Sequence, residues 1–228
     1  MLSALSTISS LAEFKKPSGP ITIPGRLAFY NFEENANDSW NSYHGTVYGS
    51  SITSERAKFG TYSMTSNGIS SSPLYIQLPS IPYTASNGLS FSYWFCSKGT
   101  STSNSIIWEF INGGMNGWLS QQGTFWRVIG SNNYSPEFNM NTWHNATITV
   151  ESNGAYTAYH DGVAFDIGSS PGFRFTALTG TLPSGRIGRS LVSGNASLNG
   201  NIDGFRIYNK ILTQNEVTGL YNNNDTYI

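Results

Sequence analysis

The chain has 228 residues and a net charge of −1, and charged side chains fill only 11% of positions, against about 25% in an average globular protein. With Lys15-Lys16 as the sole basic pair, that balance excludes a nucleic-acid surface, and no segment is apolar enough to cross a bilayer. Cys96 is the only cysteine, so no internal disulfide can form, and a chain of this length buries enough surface to fold without one.

Residues 1–25 read as an arm. Leu2, Leu5, Ile8 and Leu11 recur every three residues, the mark of a short amphipathic helix, and Pro17, Gly19, Pro20, Pro24 and Gly25 then break regular structure. The apolar stretch precedes its lysines instead of following a basic region, so it does not read as a signal peptide. The domain proper is expected over residues 26–228. Leu27 to Phe32 reads as its first strand, and a loop rich in Asn and Asp follows from Glu33 to Tyr43. Leu74 to Leu78 is a strand stopped by Pro79, and Leu89 to Cys96 is a long apolar strand that buries the cysteine as an inert thiol. Ser105 to Ile111 and Thr124 to Ile129 flank the Gly-rich turn at Gly113-Gly114-Met115-Asn116-Gly117. Asn145 to Glu151 and Ala155 to His160 form a hairpin across Ser152-Asn153-Gly154, and Asp161-Gly162 is the next tight turn. The last strand lies in Gly200 to Leu212. Thr213-Gln214-Asn215-Glu216 is a capping box that opens one short helix with Val217, Leu220 and Tyr221 inward. Short strands at about ten-residue spacing, with one helix at the end, predict an all-β, two-sheet antiparallel sandwich.

The ordered set of these pieces resembles the concanavalin A-like lectin/glucanase superfamily, in its laminin G-like jelly-roll branch. It comprises Leu27 to Phe32 with Asn35 to Ser39, His44-Gly45-Thr46-Val47, Lys58 to Ser63, Phe91-Ser92-Tyr93-Trp94, Trp143-His144, Tyr159-His160-Asp161-Gly162, Ile187-Gly188-Arg189 and the block from Gly200 to Tyr221. The resemblance implies the sandwich and places Trp94 and Trp143 in packing positions. It implies no single activity, because one fold hosts many.

Glycoside hydrolysis requires two carboxyl groups about 5–9 Å apart across the sugar. The glucanase members carry them on a Glu-x-Asp-x-Glu strand that this chain lacks: Glu109 and Glu151 stand alone, and Glu33-Glu34 point to opposite faces if extended. His44, His144 and His160 show no metal-ligand spacing, and no Gly-x-Ser-x-Gly elbow exists. An enzyme is therefore not expected. The resemblance implies a structural calcium between the Asn35–Ser39 loop and the final strand, with Asp38, Asp203 and Glu33 as ligands. The alternative is that Asp38 caps a turn while Asp203 pairs with Arg206 or a backbone amide. Sugar binding uses an aromatic platform with polar groups around it, and Trp40, Tyr43, Trp118, Trp126 and Tyr134 lie in or beside Gly- and Asn-rich loops. Two readings result. One is a non-catalytic glycan-binding module. The other is a component of a virion or surface assembly, docked on a neighbouring protein or a further copy through its arm. A surface this low in charge suits a virion or an extracellular location.

Overall fold

Leu89–Ser97 is buried on both of its faces, which makes it the central strand of a sheet covered from two sides. The computed structural model describes residues 23–69, 74–99, 105–111, 115–119, 124–128, 133–168, 175–191 and 196–222. In chain order the strands are Arg26–Tyr30 (β1), Thr46–Tyr48 (β2), Ile52–Thr53 (β3), Ser63–Asn67 (β4), Tyr75–Leu78 (β5), Ile81–Pro82 (β6), Leu89–Ser97 (β7), Ser105–Ile111 (β8) and Met115–Leu119 (β9). They continue with Trp126–Val128 (β10), His144–Val150 (β11), Tyr156–His160 (β12), Val163–Gly168 (β13), Thr181–Leu182 (β14), Gly185–Ile187 (β15), Ala196–Ser197 (β16) and Asn199–Tyr208 (β17), and the helix Gln214–Tyr221 (α1) follows.

The first sheet has eight strands in the order β13-β12-β11-β7-β17-β4-β3, with β1 also on β17. Ten-residue β17 serves two partners along one edge: Asn199 to Ile202 pair with β4, and Phe205 to Tyr208 with β1. The pairing with β7 is interrupted between Asp203 and Arg206, where Gly204 takes a φ of 58°. The second sheet runs β10-β9-β8-β15-β5-β2, with β16 parallel to β8, and β6 and β14 form a separate ribbon. The sheets bury Phe91, Tyr93, Ala146, Ile148, Trp108, Phe110, Ile76 and Ile187 between them. Trp108 stacks on Phe91 at 4.5 Å and meets Tyr93 edge-on at 6.3 Å, so aromatic rings from facing sheets interlock.

The outer face of the first sheet is covered. Val217 and Leu220 of α1 pack with Tyr159, Tyr208 and Leu212 in a second buried cluster. The capping box is formed as expected: Thr213 N–H donates to Glu216 Oε2 at 2.9 Å, and Glu216 N–H donates to Thr213 Oγ1 at 3.3 Å. Tyr221, expected inward, is 36% exposed and stacks on Trp94. The Lys58 ammonium sits 3.7 Å from the centroid of that Trp94 ring, and Arg56 Nη1 donates to the buried Cys96 Sγ at 3.3 Å.

Residues 1–22 of the expected arm lie outside the described residues. Ile23 does not behave as arm: it is 2% exposed within the cluster under α1, so the domain engages the chain before Arg26. Ile23→Ala should lower stability by about 2–4 kcal/mol in urea denaturation, the ordinary cost of emptying a buried branched aliphatic. A cost below about 0.5 kcal/mol would return Ile23 to the arm.

Candidate functional site

The outer face of the second sheet carries no helix among the described residues, and strand alternation decides what it shows. In β5, Ile76 and Leu78 are buried, so Tyr75 and Gln77 point outward. In β15, Ile187 is buried, and a Cβ on Gly185 would run into the Phe110 ring, so Arg186 points outward. Register then joins them: Tyr48 lies opposite Tyr75, Thr46 and Arg186 lie opposite Gln77, and Glu109 lies opposite Arg186.

Tyr48 and Tyr75 stack with ring centroids 4.5 Å apart and planes 5° from parallel. Tyr75 is nearly buried at 8%, while Tyr48 presents 43% of its surface on the edge strand. The Arg186 and Arg189 guanidiniums stand 5.1 Å and 5.4 Å from the Tyr75 centroid. Arg186 is held in place: its Nε donates to Gln77 Oε1 at 3.1 Å and its Nη1 to Ser190 O at 3.0 Å. Gln77 Nε2 donates to Ser184 Oγ and to Gly185 O, each at 2.7 Å. Glu109 is buried and accepts from Ser190 Oγ at 2.8 Å and from Leu191 N–H at 2.6 Å. The residues opposite Glu109 are Arg186 and Asn116, so no acid stands across from it in either neighbouring strand. At the far edge of the face, Arg127 projects outward between buried Trp126 and Val128, 5.0 Å from the Tyr134 ring.

The aromatic residues expected to bind sugar scatter. Tyr134 is 45% exposed and belongs to this face through Arg127. Trp126 is corrected: it is fully buried, its indole donating to His160 Nδ1 at 2.9 Å and meeting Phe165 edge-on, because β10 alternation turns it inward. Trp40 is 43% exposed but lies beneath the Arg26 guanidinium at 4.8 Å. Tyr43 packs against the core, and its carbonyl accepts from Tyr30 Oη at 2.6 Å. Trp118 lies opposite Arg127 in register, and its side chain falls outside the described residues. The sequence reading missed Tyr48, Tyr75, Gln77, Arg186 and Arg189. The alternation in Leu74-Tyr75-Ile76-Gln77-Leu78 was a usable signal for two of them.

The carboxylates expected to bind calcium are amide acceptors in this structure. Asp38 takes the N–H groups of Phe29 and Trp40 on Oδ1 at 2.9 Å each, and that of Tyr43 on Oδ2 at 3.2 Å. Glu33 takes Thr61 and Tyr62 N–H. Asp203 Oδ2 takes Lys58 and Phe59 N–H at 2.8 and 3.0 Å, which ties the 56–61 loop to β17, while its Oδ1 is buried without a partner. That orphaned oxygen is one of the six to eight ligand positions that calcium takes, and Asp38 and Glu33 are engaged with backbone amides. A cavity of about 360 Å³ opens beside them among Asn31, Glu33, Phe59 and Gly60.

Among the described residues, His144, His160 and Asp161 form the one group of metal-type donors whose ligand atoms gather, within 4.8 Å of one another. Its hydrogen bonds leave no lone pair for an ion on His160. The indole of Trp126 can only donate, so His160 Nδ1 accepts and Nε2 carries the hydrogen, facing Asp161 Oδ2 at 3.5 Å. Burial pushes the His160 pKa down to about 4, which keeps that neutral form. Asp161 closes the chain of contacts, accepting Asn145 N–H at 2.7 Å beside His144 Nδ1 at 2.9 Å.

The chain belongs to the concanavalin A-like lectin/glucanases superfamily: residues 71–218 match a family model of its laminin G-like branch. Among curated proteins no sequence matches it. Among solved structures it is similar to domain 4 of AbnA, an extracellular arabinanase from Geobacillus stearothermophilus solved with arabinotriose. The TM-score is 0.63 at 24% identity, covering 86% of this chain and 98% of that one. It is similar to the binding domain of botulinum neurotoxin serotype D/C, with a TM-score of 0.63 at 15% identity over 88% of this chain and 52% of that one. It is also similar to Trypanosoma rangeli sialidase, with a TM-score of 0.63 at 13% identity over 86% of this chain and 33% of that one. The chain thus spans about half of the toxin binding domain and a third of the sialidase. These likenesses establish the sandwich fold.

Asp38→Ala strands buried amides and should cost at least about 1–3 kcal/mol, equally in calcium and in chelator, by thermal melts. A cost seen only with calcium would make Asp38 a metal ligand. Burial raises the Asp203 pKa from 3.8 to about 7. The folded chain therefore keeps a proton between those values that the unfolded chain releases, and stability contributed by Asp203 falls as pH rises towards 7. Asp203→Asn should gain stability relative to the wild type between pH 5 and pH 8. A difference independent of pH would rule out the raised pKa.

Proposed function

We propose that this protein is a non-catalytic carbohydrate-binding module that takes its ligand on the outer face of the second sheet. The observation that carries this is the Tyr48–Tyr75 stack, with Arg186 and Gln77 locked beside it by hydrogen bonds and Arg189 lying over the Tyr75 ring. Pyranose rings have apolar faces and polar edges. The exposed Tyr48 ring, backed by Tyr75, offers an apolar face with fixed polar groups beside it, which matches both, and its rigidity limits the entropy lost on binding. The single carboxylate of the face is buried, engaged with Ser190 and Leu191, and has no acid opposite, which supports binding without hydrolysis. The arabinanase domain solved with arabinotriose supports a sugar-binding role for this architecture.

Tyr48→Ala should weaken binding to whichever glycan an array identifies by about 1 kcal/mol, roughly fivefold, with an unchanged melting temperature. Calorimetric titration reads the affinity. Unchanged affinity would move the site off this face, and an array with no binder would remove the glycan reading.

A further inference from the structure

We propose that the ligand is an anionic oligosaccharide, its carboxylate or sulfate groups held by Arg186 and Arg189 at one end of the face and by Arg127 at the other. This rests on the carbohydrate reading above and narrows it to a charge class. Gln77 has its carbonyl oxygen on Arg186 and its amide on Ser184 and Gly185. Glu109 Oε2 accepts twice beneath the loop at Ser190. Arg186 uses Nε and Nη1, while its Nη2 makes no hydrogen bond among the described residues; Arg189 makes none there and is positioned by its stack on Tyr75.

The charged groups left around Tyr75 are the guanidinium N–H donors of Arg186 and Arg189, beside the neutral hydroxyls of Tyr48 and Ser184. A carboxylate or sulfate supplies only acceptors, in the planar or forked arrangement that guanidinium matches with two parallel bonds.

Arg127 and Tyr134 repeat the arginine-on-tyrosine pair at the other edge of the sheet. The strand order β10-β9-β8-β15-β5 separates the two pairs by four strand spacings, about 19 Å. That span suits a chain of several sugars lying across the strands. Three arginines on one face of a protein with 12 basic residues and a net charge of −1 are a local concentration of positive charge, opposed within the sheet by one buried carboxylate. Exposed Glu137 lies in the same segment as Tyr134 and is the nearest acid in sequence to that edge.

The test presents the full chain with matched oligosaccharides that are neutral, uronate-bearing or sulfated, and with a single-stranded oligonucleotide as a polyanion of another class. Acidic oligosaccharides should bind in preference to neutral ones, and more weakly as salt is raised. Arg189→Gln and Arg127→Gln should each reduce that affinity on the order of tenfold without altering near-UV circular dichroism. Tyr48→Ala should reduce it too. If neutral glycans bind equally well, and Tyr48→Ala weakens them while Arg189→Gln does not, the acidic class is overturned and the carbohydrate face stands. Acidic glycans bound equally by all three variants would overturn the site. Preference for the oligonucleotide, or failure of every glycan, would overturn both readings.

Discussion

The layer of rings between the two sheets is the constraint on which the rest depends. Trp108 from one sheet lies on Phe91 from the other and meets Tyr93 and Phe205 edge-on. Rings of that size fix the separation and relative rotation of the sheets, because a one-residue shift would put Ser90 or Ser92 in the place of Phe91, and Glu109 in the place of Trp108 or Phe110. Once Trp108 and Phe110 face inward, Glu109 must face outward, and register carries that choice through Arg186 and Gln77 to Tyr75 and Tyr48. The proposed binding face is the exterior counterpart of the core.

The two outer faces are treated differently, and this gives the molecule its polarity. Over the first sheet lie α1, Ile23 and the 56–61 loop, joined by the Lys58–Trp94 contact and the amides on Asp203. Over the second lie only loops such as Ser190–Leu191, among the described residues. Buried polar groups follow the same division. Asp38 and Asp203 fasten loops by accepting backbone amides, and the Trp126–His160–Asp161 chain closes the sandwich end with a fixed imidazole tautomer. Each satisfies donors that the fold has taken from water, which is sufficient reason for polar residues at those depths.

The strands were legible where alternation and turn residues agreed. Ser105 to Ile111 appears with the predicted bounds, and Asp161 and Gly162 both take the positive φ that their turn requires. The capping box at Thr213 forms as its spacing dictates. The aromatic site residues were not legible by the same route. Proximity to Gly and Asn suggested that Trp126 was exposed, but burial of a strand residue follows the face it points to, and that face depends on pairing with β9.

The sequence by itself determined the sandwich class, the helix and its cap, the inert burial of Cys96 and the absence of a paired-acid strand, because these rest on local period, turn chemistry and composition. Only the tertiary structure decided which tyrosines and arginines share a surface. Tyr48, Tyr75, Arg127 and Arg186 come from four strands spread over 139 positions of the chain (48 to 186), and cross-strand register alone brings them onto one face. Register is set by how the rings of the core interlock, a property of packing between distant segments that no local pattern encodes.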